Sequence, residues 1–214
     1  MKNISRRTAI KTVLAGSTAM AVSGISSAAT FSANQTIKNA SLKGNIRHSV
    51  SKWCFGGIEL NEFCEICKRI GIESVELLTI EECKTVQSHG LTIAMVQDGG
   101  LGIDRGFNDP KLHDELVASY EEFIPKVAEL GLKNLICFSG KRNGVTDLTG
   151  WENCEKGLKR IMPIAEKHGV VMTMELLNSV GHHDYLCDHT RWGAELCRRV
   201  GSPNFKLLYD IYHM

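Results

Sequence analysis

The sequence carries almost no net charge: 25 lysines and arginines against 24 acids leave a formal +1. With no long basic run outside the N-terminus, it offers no electrostatic footprint for a polyanion, so no nucleic-acid partner is expected. It also lacks the run of about 20 strongly apolar residues that a spanning helix needs, so no stable membrane anchor is expected. No GxGxxG and no GxxxxGK[ST] follows any apolar run, which removes the main support for a nucleotide-binding open sheet. Eight cysteines are present, yet Cys64 and Cys67 have no second CxxC pair and no His doublet nearby, so a zinc site is poorly supplied with ligands.

What is present is an ordinary globular composition, 43% hydrophobic and 23% charged, enough for one core and one domain. The first thirty residues stand apart from the rest. Ser5-Arg6-Arg7-Thr8-Ala9-Ile10-Lys11 precedes an Ala/Gly/Ser-rich, modestly apolar stretch from Thr12 to Ile25, and Ser27-Ala28-Ala29 offers small residues for a peptidase. The arrangement resembles a twin-arginine export signal over residues 1–29, with Ala9 in place of the usual aromatic. It implies a periplasmic protein; the alternative is an N-terminal extension on a cytoplasmic one. Residues 30–44 read as a polar linker, and 45–214 as the fold. A twin-arginine substrate folds before export in a reducing compartment, and Cys137 sits within Leu135-Ile136-Cys137-Phe138 as a small hydrophobe would, so packed thiols are expected in place of a disulfide framework.

Beyond Gly44, short β-branched or apolar runs alternate with longer amphipathic segments, the rhythm of a parallel α/β fold. Strands are expected at Ile46 to Val50, Ser74 to Leu78, Thr92 to Val96, Asn134 to Phe138, Val170 to Glu175 and Phe205 to Asp210. Helices are expected near Leu60 to Ile70, Ile80 to His89, Leu112 to Leu130, Glu152 to His168 and His189 to Val200. Gly71, Gly90, Gly131, Gly169 and Gly201 each fall between a helix and the next strand, as helix stops. Pro125 and Pro163 lie inside helical patterns, and Pro125 predicts a kink or break. Six βα steps suit either a doubly wound sheet or a closed eight-stranded barrel. Acids at two strand ends favour the barrel, which needs about 250 residues, so this chain holds about six of its units.

Those two acids are Glu175, ending Val170-Val171-Met172-Thr173-Met174, and Asp210, after Phe205-Lys206-Leu207-Leu208-Tyr209. A carboxylate ending an apolar strand is costly unless it is paired or ligates a cation, and carboxylates on adjacent strands can share one divalent ion. A salt bridge or a helix cap is the blander reading of each. His213, three residues after Asp210, can stabilise a substrate oxygen or shuttle a proton. Asn178 can donate to a substrate hydroxyl or merely shape its turn, and His182, His183 and Asp184 form a polar loop cluster. Lys52, Trp53 and Glu76 lie at the same mouth. The segment from Gln97 to Phe107 is long enough for a lid, and Lys141 and Arg142 could meet an anionic substrate.

With Ser51-Lys52-Trp53-Cys54-Phe55, Ser74-Val75-Glu76-Leu77-Leu78, Gly100-Leu101-Gly102-Ile103, His113 to Lys126 and Ile136-Cys137-Phe138-Ser139-Gly140, the sequence resembles the hydroxypyruvate isomerase-like branch of the xylose isomerase-type TIM barrels. Met174-Glu175-Leu176-Leu177-Asn178-Ser179 and Lys206-Leu207-Leu208-Tyr209-Asp210-Ile211-Tyr212-His213-Met214 carry that resemblance most specifically. It implies an aldose/ketose-type isomerase or epimerase acting on a small carbohydrate or hydroxy-keto acid. The proton beside a carbonyl would move through an enediolate, with one divalent ion such as Mg²⁺, Mn²⁺ or Co²⁺. Glu175 and Asp210 would be metal ligands, Glu175 also the catalytic base, and His213, Asn178 and His182 substrate contacts. The remaining ligand, a His or Gln, and a second Glu belong to strands seven and eight of such barrels, so the 214 residues alone are expected to be inactive. A metal-dependent hydrolase or endonuclease on the same barrel and a non-catalytic sugar-binding barrel are the rival readings, and a homo-oligomer is open for a longer chain.

Overall fold

In a computed structural model, the residues described are 46–97, 99 and 101–214. The export-signal and linker expectations for residues 1–44 lie outside them. Six parallel strands follow one another: β1 (Ser49–Ser51), β2 (Ser74–Glu76), β3 (Thr92–Ile93), β4 (Asn134–Cys137), β5 (Val171–Glu175) and β6 (Phe205–Leu208). β1 pairs with β2 and β2 with β3; β4 pairs with β5 and β5 with β6. Val96 joins the two halves, its N–H donating to Asn134 O at 2.9 Å and its carbonyl accepting from Ile136 N at 3.1 Å. The spatial order is therefore the chain order. A doubly wound sheet reverses at a switch point; this one does not, and the barrel arrangement is the one adopted.

Five helices alternate with the strands: α1 (Leu60–Ile70), α2 (Ile80–Ser88), α3 (His113–Glu129), α4 (Asp147–His168) and α5 (Thr190–Val200). Local chemistry sets their ends. The Glu59 carboxylate caps α1 by accepting from Asn61 N and Glu62 N, and Thr79 and Glu82 form a reciprocal capping box on α2, each such cap being worth about 1 kcal/mol. Gly71, Gly90, Gly131, Gly169 and Gly201 all have φ between 67° and 83°, the left-handed conformation that closes a helix cheaply only at glycine.

No helix breaks at the internal prolines, the strands are shorter than expected, and one helix starts earlier. Helix α3 runs unbroken through Pro125, and α4 through Pro163. The carbonyls that lose a donor belong to Glu121 and Lys159, both exposed residues, where water can replace the missing N–H. Helix α4 also starts five residues before Glu152, because Thr146 Oγ1 accepts from Thr149 N at 3.2 Å and Gly150 is needed inside the helix. A Cβ at Gly150 would lie 2.8 Å from Leu186 Cδ2.

The core fills the space between sheet and helices with Leu135, Ile136, Met172, Met174, Leu158 and Trp192, each essentially inaccessible. Burial of each such side chain contributes about 1.5–3 kcal/mol. Cys64, Cys67, Cys83, Cys154 and Cys187 are buried, unbridged thiols packed in the same core. No helix among the described residues is long and apolar enough to cross a membrane.

Candidate functional site

Three residues of β5, Met172, Thr173 and Met174, are buried, and the strand then delivers Glu175 at its C-terminal end. Glu175 is in register with Leu208, the last residue of β6. Two residues further on, the chain coils into a single turn: His213 N and Met214 N donate to Asp210 O at 3.0 and 3.2 Å, and Tyr212 N donates to Asp210 Oδ1 at 2.8 Å. That turn converts a spacing of three into a contact, with His213 Nε2 3.8 Å from Asp210 Oδ2. One potential ligand atom from each of Glu175, Asp210 and His213 lies within 4.8 Å of the others.

The remaining expected residues gather on His213. Asn178 Nδ2 lies 2.9 Å from His213 Nδ1, and Asn178 N donates to the same nitrogen at 3.3 Å. Asn178 Oδ1 is occupied by the N–H groups of Val180 and Gly181 at 3.1 and 2.7 Å, which fixes the orientation of the amide. His213 Nδ1 is therefore an acceptor, and in the neutral ring the proton sits on Nε2. A nitrogen that carries a proton cannot ligate a cation, so this network makes His213 a donor toward the mouth, and the two carboxylates are left as the groups able to hold a metal. Burial pushes the His213 pKa below its ordinary value despite the opposing charge of Asp210, and His182 adds to the lowering. The ring of His182 stands edge-on to His213, centroids 5.1 Å apart.

Burial, then the charge of Asp210, then that of Glu76 push the Glu175 carboxyl up to about 7. Among the described residues no lysine or arginine forms a salt bridge with Glu175, Asp210 or Glu76, and Glu76 Oε1 accepts only a neutral hydrogen bond, from Ser51 Oγ at 3.2 Å. Half-buried carboxylates of which two raise the pKa of the third, with no lysine or arginine paired to them, fit a divalent cation, which would relieve the repulsion.

Other rim residues have structural employment. Lys141 is paired with Asp104 at 2.8 Å and Arg142 with Asp147 at 2.7 Å, so both expected anion contacts already have acidic partners. The expected lid is pinned at its end: Arg105 meets Glu115 at 2.6 Å, Phe107 is fully buried, and Phe107 N and Asn108 N donate to Phe138 O and Ser139 O. Asp184, at φ 67°, accepts from Asn143 N at 3.0 Å and ties its loop to the one after β4. Concavities of about 200 and 270 Å³ lie away from Glu175, beside Asp104 and Lys141 and beside Thr79 and Phe123 respectively. Charge and titration, not depth, single out the Glu175 cluster.

Sequence reasoning passed over Tyr185. Its hydroxyl donates to the Glu175 carbonyl at 3.0 Å and accepts from Ser139 N at 3.1 Å, and burial raises its pKa well above the ordinary value, keeping it a donor. An isolated tyrosine in a polar loop gives no signal of burial; only the fold turns it inward.

The xylose isomerase-like TIM barrel family matches residues 64–214. Several solved structures share the fold. An AP endonuclease of family 2 from Brucella melitensis has a TM-score of 0.68 at 18% identity, covering 78% of this chain and 70% of its own. D-Psicose 3-epimerase from Clostridium cellulolyticum H10, solved with D-tagatose, has a TM-score of 0.63 at 15% identity, with coverages of 79% and 65%. The IOLI protein, solved with a bound zinc atom, has a TM-score of 0.65 at 15% identity, with coverages of 78% and 64%. At these identities the likeness is one of fold, and the chain spans between 64% and 70% of these three structures. No curated protein matches the sequence.

Proposed function

The chain belongs to the xylose isomerase-like TIM barrel family, and from that premise we propose a divalent-metal-dependent isomerase or epimerase of small carbohydrates or hydroxy-keto acids, with hydroxypyruvate-type substrates the first to assay. The observation that carries this reading is the Glu175 carboxyl, lifted to about 7 beside Asp210, with no lysine or arginine paired to either among the described residues. A general base works best with a pKa near the working pH, and this one is tuned there by its surroundings. A divalent ion held by Glu175 and Asp210 would supply Lewis-acid stabilisation of the charge that develops as a proton leaves the carbon beside a carbonyl.

The chain's own residues then divide the work. Glu175 takes the proton. His213, neutral with Nε2–H directed at the mouth, donates to a substrate oxygen, and Asn178 holds that tautomer in place. His182 packs edge-on against His213. Replacing Glu175 by Gln keeps the shape and removes the base, so in a chain that also carries strands seven and eight turnover should fall about 10²–10⁴-fold. Unchanged turnover by Glu175→Gln would sink the assignment and leave a carbohydrate-binding barrel as the better reading.

A further inference from the structure

The register of β4 against β5 ends at Cys137↔Met174, one residue short of Glu175. Beyond that pair the Tyr185 phenol bridges the two strand ends, donating to Glu175 O at 3.0 Å while accepting from Ser139 N at 3.1 Å. Tyr185 is only 2% exposed and is itself held from several directions. Its N–H donates to His182 O at 3.1 Å, and the next residue, Leu186, donates to Gly140 O at 3.0 Å. Ser139 Oγ accepts from Cys187 N at 3.0 Å. The loops after β4 and β5 thus form one hydrogen-bonded unit that reaches the Glu175 carbonyl through the Tyr185 hydroxyl.

We propose that Tyr185 is a positioning residue that fixes the aim of the Glu175 carboxylate by anchoring the peptide that carries it; this rests on the reading of Glu175 as a metal ligand. A side chain at the last residue of a strand inherits every rotation of its own peptide. A carboxylate that shares a cation with a second strand tolerates little of it, and losing a group that orients a ligand typically costs about 10–100-fold in metal affinity.

The test compares Tyr185→Phe with Ser139→Ala in Co²⁺ titrations read by visible absorption. Tyr185→Phe removes the bond to Glu175. Ser139→Ala removes the Oγ bonds to Cys187 N and Gly140 O but keeps the main-chain N–H to Tyr185, so it loosens the same loops and spares the anchor. The expected result is a loss of about 10–100-fold in Co²⁺ affinity, with altered absorption bands, for Tyr185→Phe, against wild-type bands and affinity within about twofold for Ser139→Ala. Equal losses in the two variants, or wild-type affinity in Tyr185→Phe, overturn the proposal while leaving Glu175 a ligand. Absence of Co²⁺ binding by the unaltered protein overturns the Glu175 reading, and this one with it. Should Tyr185→Phe fail to fold, 3-fluorotyrosine at position 185 gives the second measurement. Its ¹⁹F resonance should move during Zn²⁺ titration with the midpoint of Zn²⁺ binding, and a resonance that stays fixed through saturation overturns the proposal.

Discussion

Glu175 sits where burial, the Asp210 charge and the Glu76 charge all favour its protonated form. The consequence for stability has a definite sign. The unfolded carboxyl titrates near its ordinary 4.5, whereas the folded one titrates near 7. Between those values the folded chain keeps a proton that the unfolded chain has lost, so metal-free stability falls as pH rises through that window. The melting temperature of the metal-free protein should decline from pH 5 to pH 7.5, and Glu175→Gln should flatten the decline. Parallel curves for the two proteins would show that Glu175 is not held against its charge. Of the residues expected at the site, Glu175, Asp210 and His213 were readable because each follows an apolar run or a short fixed spacing. Asn178 and His182 were readable as polar positions in the next loop. The tautomer of His213 was not, since it depends on which atoms of Asn178 the Val180 and Gly181 amides occupy.

At the scale of elements, helix stops and strand cores were legible because glycine at positive φ and β-branched runs act locally, within a turn or a strand. The start of α4 lies before the expected Glu152 because Gly150 is a packing requirement against Leu186 in the fold. The same logic governs the crossing of the loops after β3 and β4. A Cβ on the buried Gly106 would meet Gly140 N at 2.2 Å and Phe138 O at 2.3 Å, both backbone atoms. Gly106→Ala should therefore destabilise by at least about 1–3 kcal/mol, the usual cost of overpacking. Its urea midpoint measures this, and a wild-type midpoint would mean that the loops do not cross as closely as described.

For the whole molecule, composition excludes classes more firmly than it selects one. Near-neutral charge argues against a polyanion partner, and the paired arginines at Arg6 and Arg7 are the basis for proposing export. Exchanging both for lysine should retain the protein in the cytoplasm of an expressing bacterium, as read by cell fractionation. Periplasmic yield equal to wild type would remove that proposal. By itself the sequence determined the alternation of strands and helices, the glycine helix stops, and the carboxylates at the end of β5 and just past β6, because these follow from periodicity and local conformational preference. Only the tertiary structure decided that the strands run in unbroken spatial order, that Lys141 and Arg142 are already paired, and that a buried tyrosine ten residues from Glu175 holds its backbone. Each of those depends on which distant groups meet, and a linear pattern carries no record of that.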